Sequence, residues 1–119
     1  MAARDLFHDC VRNALIKDGW IITHDPMRIQ VGGVQMLIDL GAEKVIAAEK
    51  NGDKIAVEVK NFIQASAISE FHTAVGQYRN YYLALLSEDP ERVLYLAVPE
   101  DAYNKERGAP PNKFPILSI

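Results

Sequence analysis

The sequence predicts a mixed α/β (α+β) domain in which a helix is followed by an antiparallel β-meander, a crossover helix and a parallel strand. Three observations predict it. Residues 3–18 carry apolar side chains at three- and four-residue steps, residues 20–60 form short alternating or apolar stretches divided by Gly and Pro, and residues 66–87 return to helical spacing before an unbroken apolar run at residues 93–98. A strand, a helix and a second strand in that order make a parallel pair, which sets residues 93–98 beside residues 54–60.

In the first helix Leu6, Phe7, Cys10, Val11, Ala14 and Leu15 form the apolar stripe and Gly19 is the stop. Cys10, the one cysteine in the chain, is expected as a buried thiol with no internal disulfide. Asp5, His8, Asp9 and Arg12 lie on the flank, expected to be solvated, where His8 or Asp9 has a minor claim to a site role. Residues 20–24 read as the first strand, closed by Asp25-Pro26, with His24 as a strand-end polar residue. Residues 28–31 and 34–39 flank Gly32-Gly33, the signal of a hairpin.

Residues 54–60 (KIAVEVK) alternate strictly, so Ile55, Val57 and Val59 face one way and Ala56, Glu58 and Lys60 the other, as in a half-buried strand. Upstream, residues 45–50 meet Asn51-Gly52, the pair that best supplies the two positive φ angles of a two-residue loop. A tight turn there would pair Ala48 with Ile55, Ile46 with Val57 and Glu43 with Lys60.

Glu58 and Lys60 then stand side by side, a carboxylate and an amine suited to hydrolysis. With a second carboxylate, Glu58 could hold Mg²⁺, which is bound through one or two carboxylates and keeps several waters. Lys60 would orient the attacking water or offset charge developing at phosphorus. Glu and Lys are common residues, so an E-x-K alone weighs little. Asp39, which ends the apolar run Met36-Leu37-Ile38, is the second carboxylate. On a straight strand it would lie roughly 20 Å from Glu58, so the reading requires a bend at Gly41 and keeps Glu43 in reserve.

Asp39 followed by Glu58-Val59-Lys60 resembles the PD-(D/E)XK nuclease superfamily, with Ile38 where a Pro is usual. On the second helix Ile68, Phe71, Val75, Tyr78, Tyr82 and Leu85 make the expected core stripe, flanked by Ala74, Gln77 and Tyr81. Gln77-x-x-x-Tyr81 resembles the Q-x-x-x-Y element of several branches of that superfamily. His72 lies on the flank. Asp89-Pro90 ends the helix, Pro99-Glu100-Asp101 suggests another helix start, and Gly108, Pro110, Pro111 and Pro115 predict an irregular tail over residues 104–119 after a single domain of residues 1–103.

The blocks FHDCVRNALIKDGWIITHDP, IDLGAEKVIAAEK, IAVEVK, EFHTAVGQYRNYYLAL and RVLYLAVPE, in one order, are together similar to the XisH family, the fdxN element excision controlling factors of cyanobacteria. The resemblance covers residues 1 to about 103 and implies a restriction-endonuclease-like core. It also implies a role in excising a DNA element, with a small XisI-like partner and a separate site-specific recombinase. It nominates Asp39, Glu58, Lys60 and Gln77 as catalytic, with Asp39 and Glu58 holding Mg²⁺ or Mn²⁺. The alternative is a catalytically silent interaction module on the same fold. A net charge of −3 argues against indiscriminate DNA binding, so DNA contact is expected to be local or shared with a partner. A homodimer is left open. Arg4, Asp5, His8 and Asp9 interrupt any signal peptide and no segment reaches membrane-spanning length, so the expectation is a cytoplasmic protein without membrane contact.

Overall fold

The structure, a computed structural model, describes residues 6–44, 52–60, 67–99 and 116–118. Its elements are α1 (Leu6–Lys17), β1 (Ile21–His24), β2 (Met27–Val31), β3 (Val34–Ile38), β4 (Leu40–Lys44), β5 (Asp53–Val59), α2 (Ala67–Glu88), β6 (Val93–Val98) and β7 (Ile116–Ser118). Five strands make one sheet in the order β1-β4-β5-β6-β7, antiparallel on the β1 side and parallel from β5 onward, and β2 and β3 form a separate hairpin. The fold is therefore a mixed α+β one, with α2 as the crossover between β5 and β6.

Burial explains the layers. On one face of the sheet Leu40, Ala42, Ile55, Val57 and Ala97 pack under Val11 and Leu15 of α1. On the other, Ala56, Leu94, Leu96 and Val98 meet Ala74, Tyr78 and Leu85 of α2 together with Met27, Ile29 and Ile38 of the hairpin. So β5, expected to be half-buried, is covered on both faces, and Ala56, Glu58 and Lys60 point toward a second core rather than away from the first. The β2–β3 hairpin turns at Gly32-Gly33 as its sequence predicts, both glycines holding positive φ (56° and 82°).

The central pairing differs from expectation. Ile55 pairs with Ala42 in place of Ala48, and Val57 with Leu40 in place of Ile46, a shift of six residues, while Glu43 faces Lys54 rather than Lys60. The proposed strand at residues 45–50 and its Asn51 turn lie outside the described residues. What outweighs the turn preference is burial: Leu40 and Ala42 are fully enclosed, and about 25 cal/mol per Å² of apolar surface soon exceeds a local turn bias. Because the shift is even, every β5 side chain keeps its face, so alternation alone could not reveal it.

The expected bend falls at Asp39, between β3 and β4, and not at Gly41. Gly41 lies within β4, where an added Cβ would sit 3.0 Å from His24 Nδ1 and 3.2 Å from Met27 Sδ, contacts tighter than the site can accept without movement. The irregularity of this ladder is carried by β1, between Ile22 and His24.

Other expectations shift by smaller amounts. Cys10 is exposed, not buried, because α1 turns Val11 and Leu15 inward instead. On α2 the inward stripe is Ala74, Tyr78, Tyr81 and Leu85, which leaves Tyr82 45% exposed where a core residue was expected. The tail, expected to be irregular, contributes β7, which pairs Leu96 with Ile116. The helix start expected at residues 100–101 lies outside the described residues. Among the described residues no helix is long and apolar enough to cross a membrane.

Candidate functional site

The shifted register brings Asp39 level with Glu58, one step past the Leu40–Val57 pair. The backbone then locks the two carboxylates. The Asp39 N–H donates to Glu58 Oε1 at 3.2 Å, and the Val59 N–H donates to Asp39 Oδ2 at 2.8 Å. Each acid is thus held by an amide beside the other, and the two carboxyl groups also interact side chain to side chain.

Two half-buried carboxylates in contact repel when both are charged. Burial pushes the Glu58 carboxyl up from its ordinary 4.5 to about 8, the neighbouring Asp39 carboxylate adds to the rise, and Lys60 works against it. Lys60, anchored through its N–H to the Ala97 carbonyl at 2.9 Å, is electrostatically coupled to Glu58 but forms no ion pair among the described residues. Three of the four residues nominated from sequence therefore gather at the C-terminal end of β5.

The fourth does not join them closely. Gln77 is exposed on α2 and its side chain makes no hydrogen bond among the described residues. Its neighbour one turn on, Tyr81, turns inward. Burial raises the Tyr81 phenol above its ordinary 10.0, with the charges of Glu58 and Asp39 contributing next. Sequence reasoning set Tyr81 beside Gln77 on the helix flank, as the Tyr of the Q-x-x-x-Y resemblance; the one-position rotation of the α2 stripe turns Tyr81 inward and leaves Gln77 exposed.

Glu43, kept in reserve, belongs elsewhere. At the opposite end of β5 the Arg92 guanidinium, only 4% exposed, donates to the Ile55 carbonyl at 2.9 Å and to Asp89 Oδ2 at 3.0 Å, with Glu43 Oε2 at 3.7 Å. Lys54 approaches the same Asp89 at 3.9 Å. No sequence signal marked Arg92, since arginine is expected at the surface. His8, expected on a solvated flank, contacts Asp25 at 3.0 Å and Arg12 contacts it at 3.2 Å, which ties α1 to the β1–β2 turn. His24 stays a strand-end residue, with its Nδ1 2.9 Å from the Thr23 hydroxyl.

Among the described residues no three His, Cys, Asp or Glu side chains come together, so a cation here would have two carboxylate donors. The fold and site define an α+β protein whose central strand ends in a buried-edge carboxylate pair flanked by lysine. The XisH protein family model matches residues 1–113, past the end of the blocks near residue 103, and the chain belongs to the XisH family. It is similar to an XisH family protein from Nostoc punctiforme PCC 73102, with 52% identity and a TM-score of 0.77 over 93% of this chain and 80% of that one. It is also similar to an fdxN element excision controlling factor protein from Anabaena variabilis, with 53% identity and a TM-score of 0.76 over 89% and 78%. No curated protein matches the chain significantly.

Proposed function

We propose that this chain is a DNA-element excision controlling factor whose Asp39–Glu58 pair binds Mg²⁺ or Mn²⁺ for phosphodiester hydrolysis, on a restriction-endonuclease-like core of the PD-(D/E)XK type. The observation that carries the reading is the contact between the two carboxylates, each pinned by a backbone N–H. The donor set fits the ion. Both are hard oxygen ligands, two carboxylates suit a cation that keeps several waters, and a divalent charge offsets the repulsion that raises Glu58. When bound, the cation supplies a water of lowered pKa and neutralises charge on the phosphate.

The protein's own part is positional. Asp39 and Glu58 hold the ligand set, and Lys60, unengaged by any ion pair among the described residues, orients the nucleophile or stabilises charge at phosphorus. Gln77 is assigned a supporting contact to DNA, for which its exposure on α2 leaves it accessible. With a net charge of −3 the chain lacks a broad positive surface, so DNA is engaged locally and with a partner, an XisI-like protein, while strand exchange belongs to a separate recombinase. The same charge favours the second reading, a catalytically silent module that retains the fold and the partner.

Incubation of the purified chain with Mn²⁺ and branched, single-stranded or duplex DNA, with and without an XisI-like protein, separates the two. Cleavage that falls at least about 100-fold in Glu58→Gln and Lys60→Met supports hydrolysis. Partner-dependent DNA binding without cleavage in the wild type supports the module.

A further inference from the structure

The β2–β3 hairpin forms its own two-stranded sheet, apart from the five-stranded one. One of its faces carries Met27, Ile29 and Ile38 into the core, with Val31 and Met36 packed against the same cluster, and that burial anchors both strands to the domain. The opposite face is built of two cross-strand pairs, Arg28 with Leu37 and Gln30 with Gln35, and all four side chains are exposed. Among the described residues Arg28, Gln30 and Gln35 make no side-chain hydrogen bond or ion pair. Between Asp25 and Asp39 the sequence has no acidic residue, so Arg28 leaves this stretch at +1 in a chain of net charge −3. At the tip, Gly32 and Gly33 project no side chain, and even an added Cβ would meet nothing within 4 Å.

We infer that this ribbon reads duplex DNA from the major groove, with Arg28, Gln30 and Gln35 contacting base edges. The inference rests on the DNA-handling role proposed above. A two-stranded ribbon fits a major groove about 12 Å wide, where a guanidinium pairs with O6 and N7 of guanine and a glutamine amide with N6 and N7 of adenine. Leu37 beside Arg28 suits a thymine methyl. Amides unengaged within the protein keep both a donor and an acceptor for such pairing, and a face without carboxylates is not repelled by phosphates. With Leu37 as its one apolar group, the same face lacks the aromatic anchors of a protein interface. Position ties the ribbon to the acid pair, since β3 ends at Ile38, the residue before Asp39. At about 3.3 Å per residue, the Arg28–Leu37 row lies no more than about 7 Å from Asp39 and the Gln30–Gln35 row no more than about 13 Å. At about 3.4 Å per base pair, the bases read fall within roughly two to four pairs of the phosphate beside the carboxylates.

The test equilibrates the full chain, with and without the XisI-like protein, with a pool of short duplexes randomised at the centre, and sequences the bound and free fractions. The wild type should enrich a preferred sequence. The double variant Gln30→Ala, Gln35→Ala should keep the wild-type melting temperature, still bind duplex, and lose at least about 5-fold of discrimination at one or two base pairs. Arg28→Ala should lose as much at a different base pair and bind more weakly to every sequence. Unchanged base preference in these variants, or a wild type that binds duplex without any preference, overturns the inference and leaves the DNA-handling role standing. Variants that keep the preference but no longer hold the XisI-like protein overturn it as well, and make the ribbon a protein-docking face. A chain that binds no duplex in either condition overturns both the ribbon and the DNA-handling role.

Discussion

The two ends of β5 handle buried charge in opposite ways. At the N-terminal end Arg92 is enclosed, yet its guanidinium reaches Asp89, Glu43 and the Ile55 carbonyl, and Lys54 approaches Asp89 as well. Opposite charges interleave, and the guanidinium finds acceptors on three sides. At the C-terminal end two acids, Asp39 and Glu58, are set side by side, each held by a backbone N–H, and Lys60 stays outside ion-pair distance of either. The first end is a clamp that joins the α2–β6 connection to β4 and β5. The second keeps an electrostatic deficit that a cation would remove, as expected where stability is given up for function.

The largest effect should come from breaking the clamp. Arg92→Met removes the charge that Asp89 and Glu43 share and leaves the Ile55 carbonyl without its side-chain donor. A loss of about 3–5 kcal/mol in chemical denaturation is expected, read as a lower midpoint with unchanged slope. A loss below about 1 kcal/mol would mean that the network is solvated in the manner of a surface pair.

The site end should respond in the other direction. Glu58 in the folded chain holds its proton up to about pH 8, whereas in the unfolded chain it gives it up near 4.5. The native state therefore binds more protons between those values, and stability from this group is full below pH 4.5 and is lost as pH rises through 8. Glu58→Gln mimics the protonated form. Without metal it should gain about 3 kcal/mol at pH 7 and flatten the decline of stability across that window. Equal pH profiles for wild type and variant would show the two carboxylates to be relaxed by solvent.

These differences were unevenly legible in the sequence. Helical spacing gave α1, and the unbroken run at residues 93–98 gave β6 with its parallel place beside β5. Asp39, Glu58 and Lys60 could be nominated because an Asp that ends an apolar run joins a Glu and a Lys two apart on an alternating strand, a pattern that resembles a nuclease motif. Their closeness was expected only on the condition of a bend at Gly41; the register that achieves it could not be read, since it is set by the burial of Leu40 and Ala42, and an even slip leaves the alternation of β5 unchanged. The α2 face was misjudged by one position because Tyr81 and Tyr82 both continue a plausible stripe from Tyr78, and only packing chooses between them. Arg92 was invisible for a different reason: its burial depends on acceptors from three separate segments, which no local pattern reports.

The most direct measurement is the melting temperature of the metal-free chain against added Mg²⁺ or Mn²⁺, in the wild type, Asp39→Asn and Glu58→Gln. The wild type should be stabilised as RT ln(1 + [M]/K), about 2.7 kcal/mol at a hundredfold excess over the dissociation constant K, a rise of several degrees for a domain of this size. Both variants should melt higher than the wild type without metal and show no response to it. A wild-type melting temperature indifferent to divalent cations, with both variants unchanged, would contradict a cation site at the end of β5.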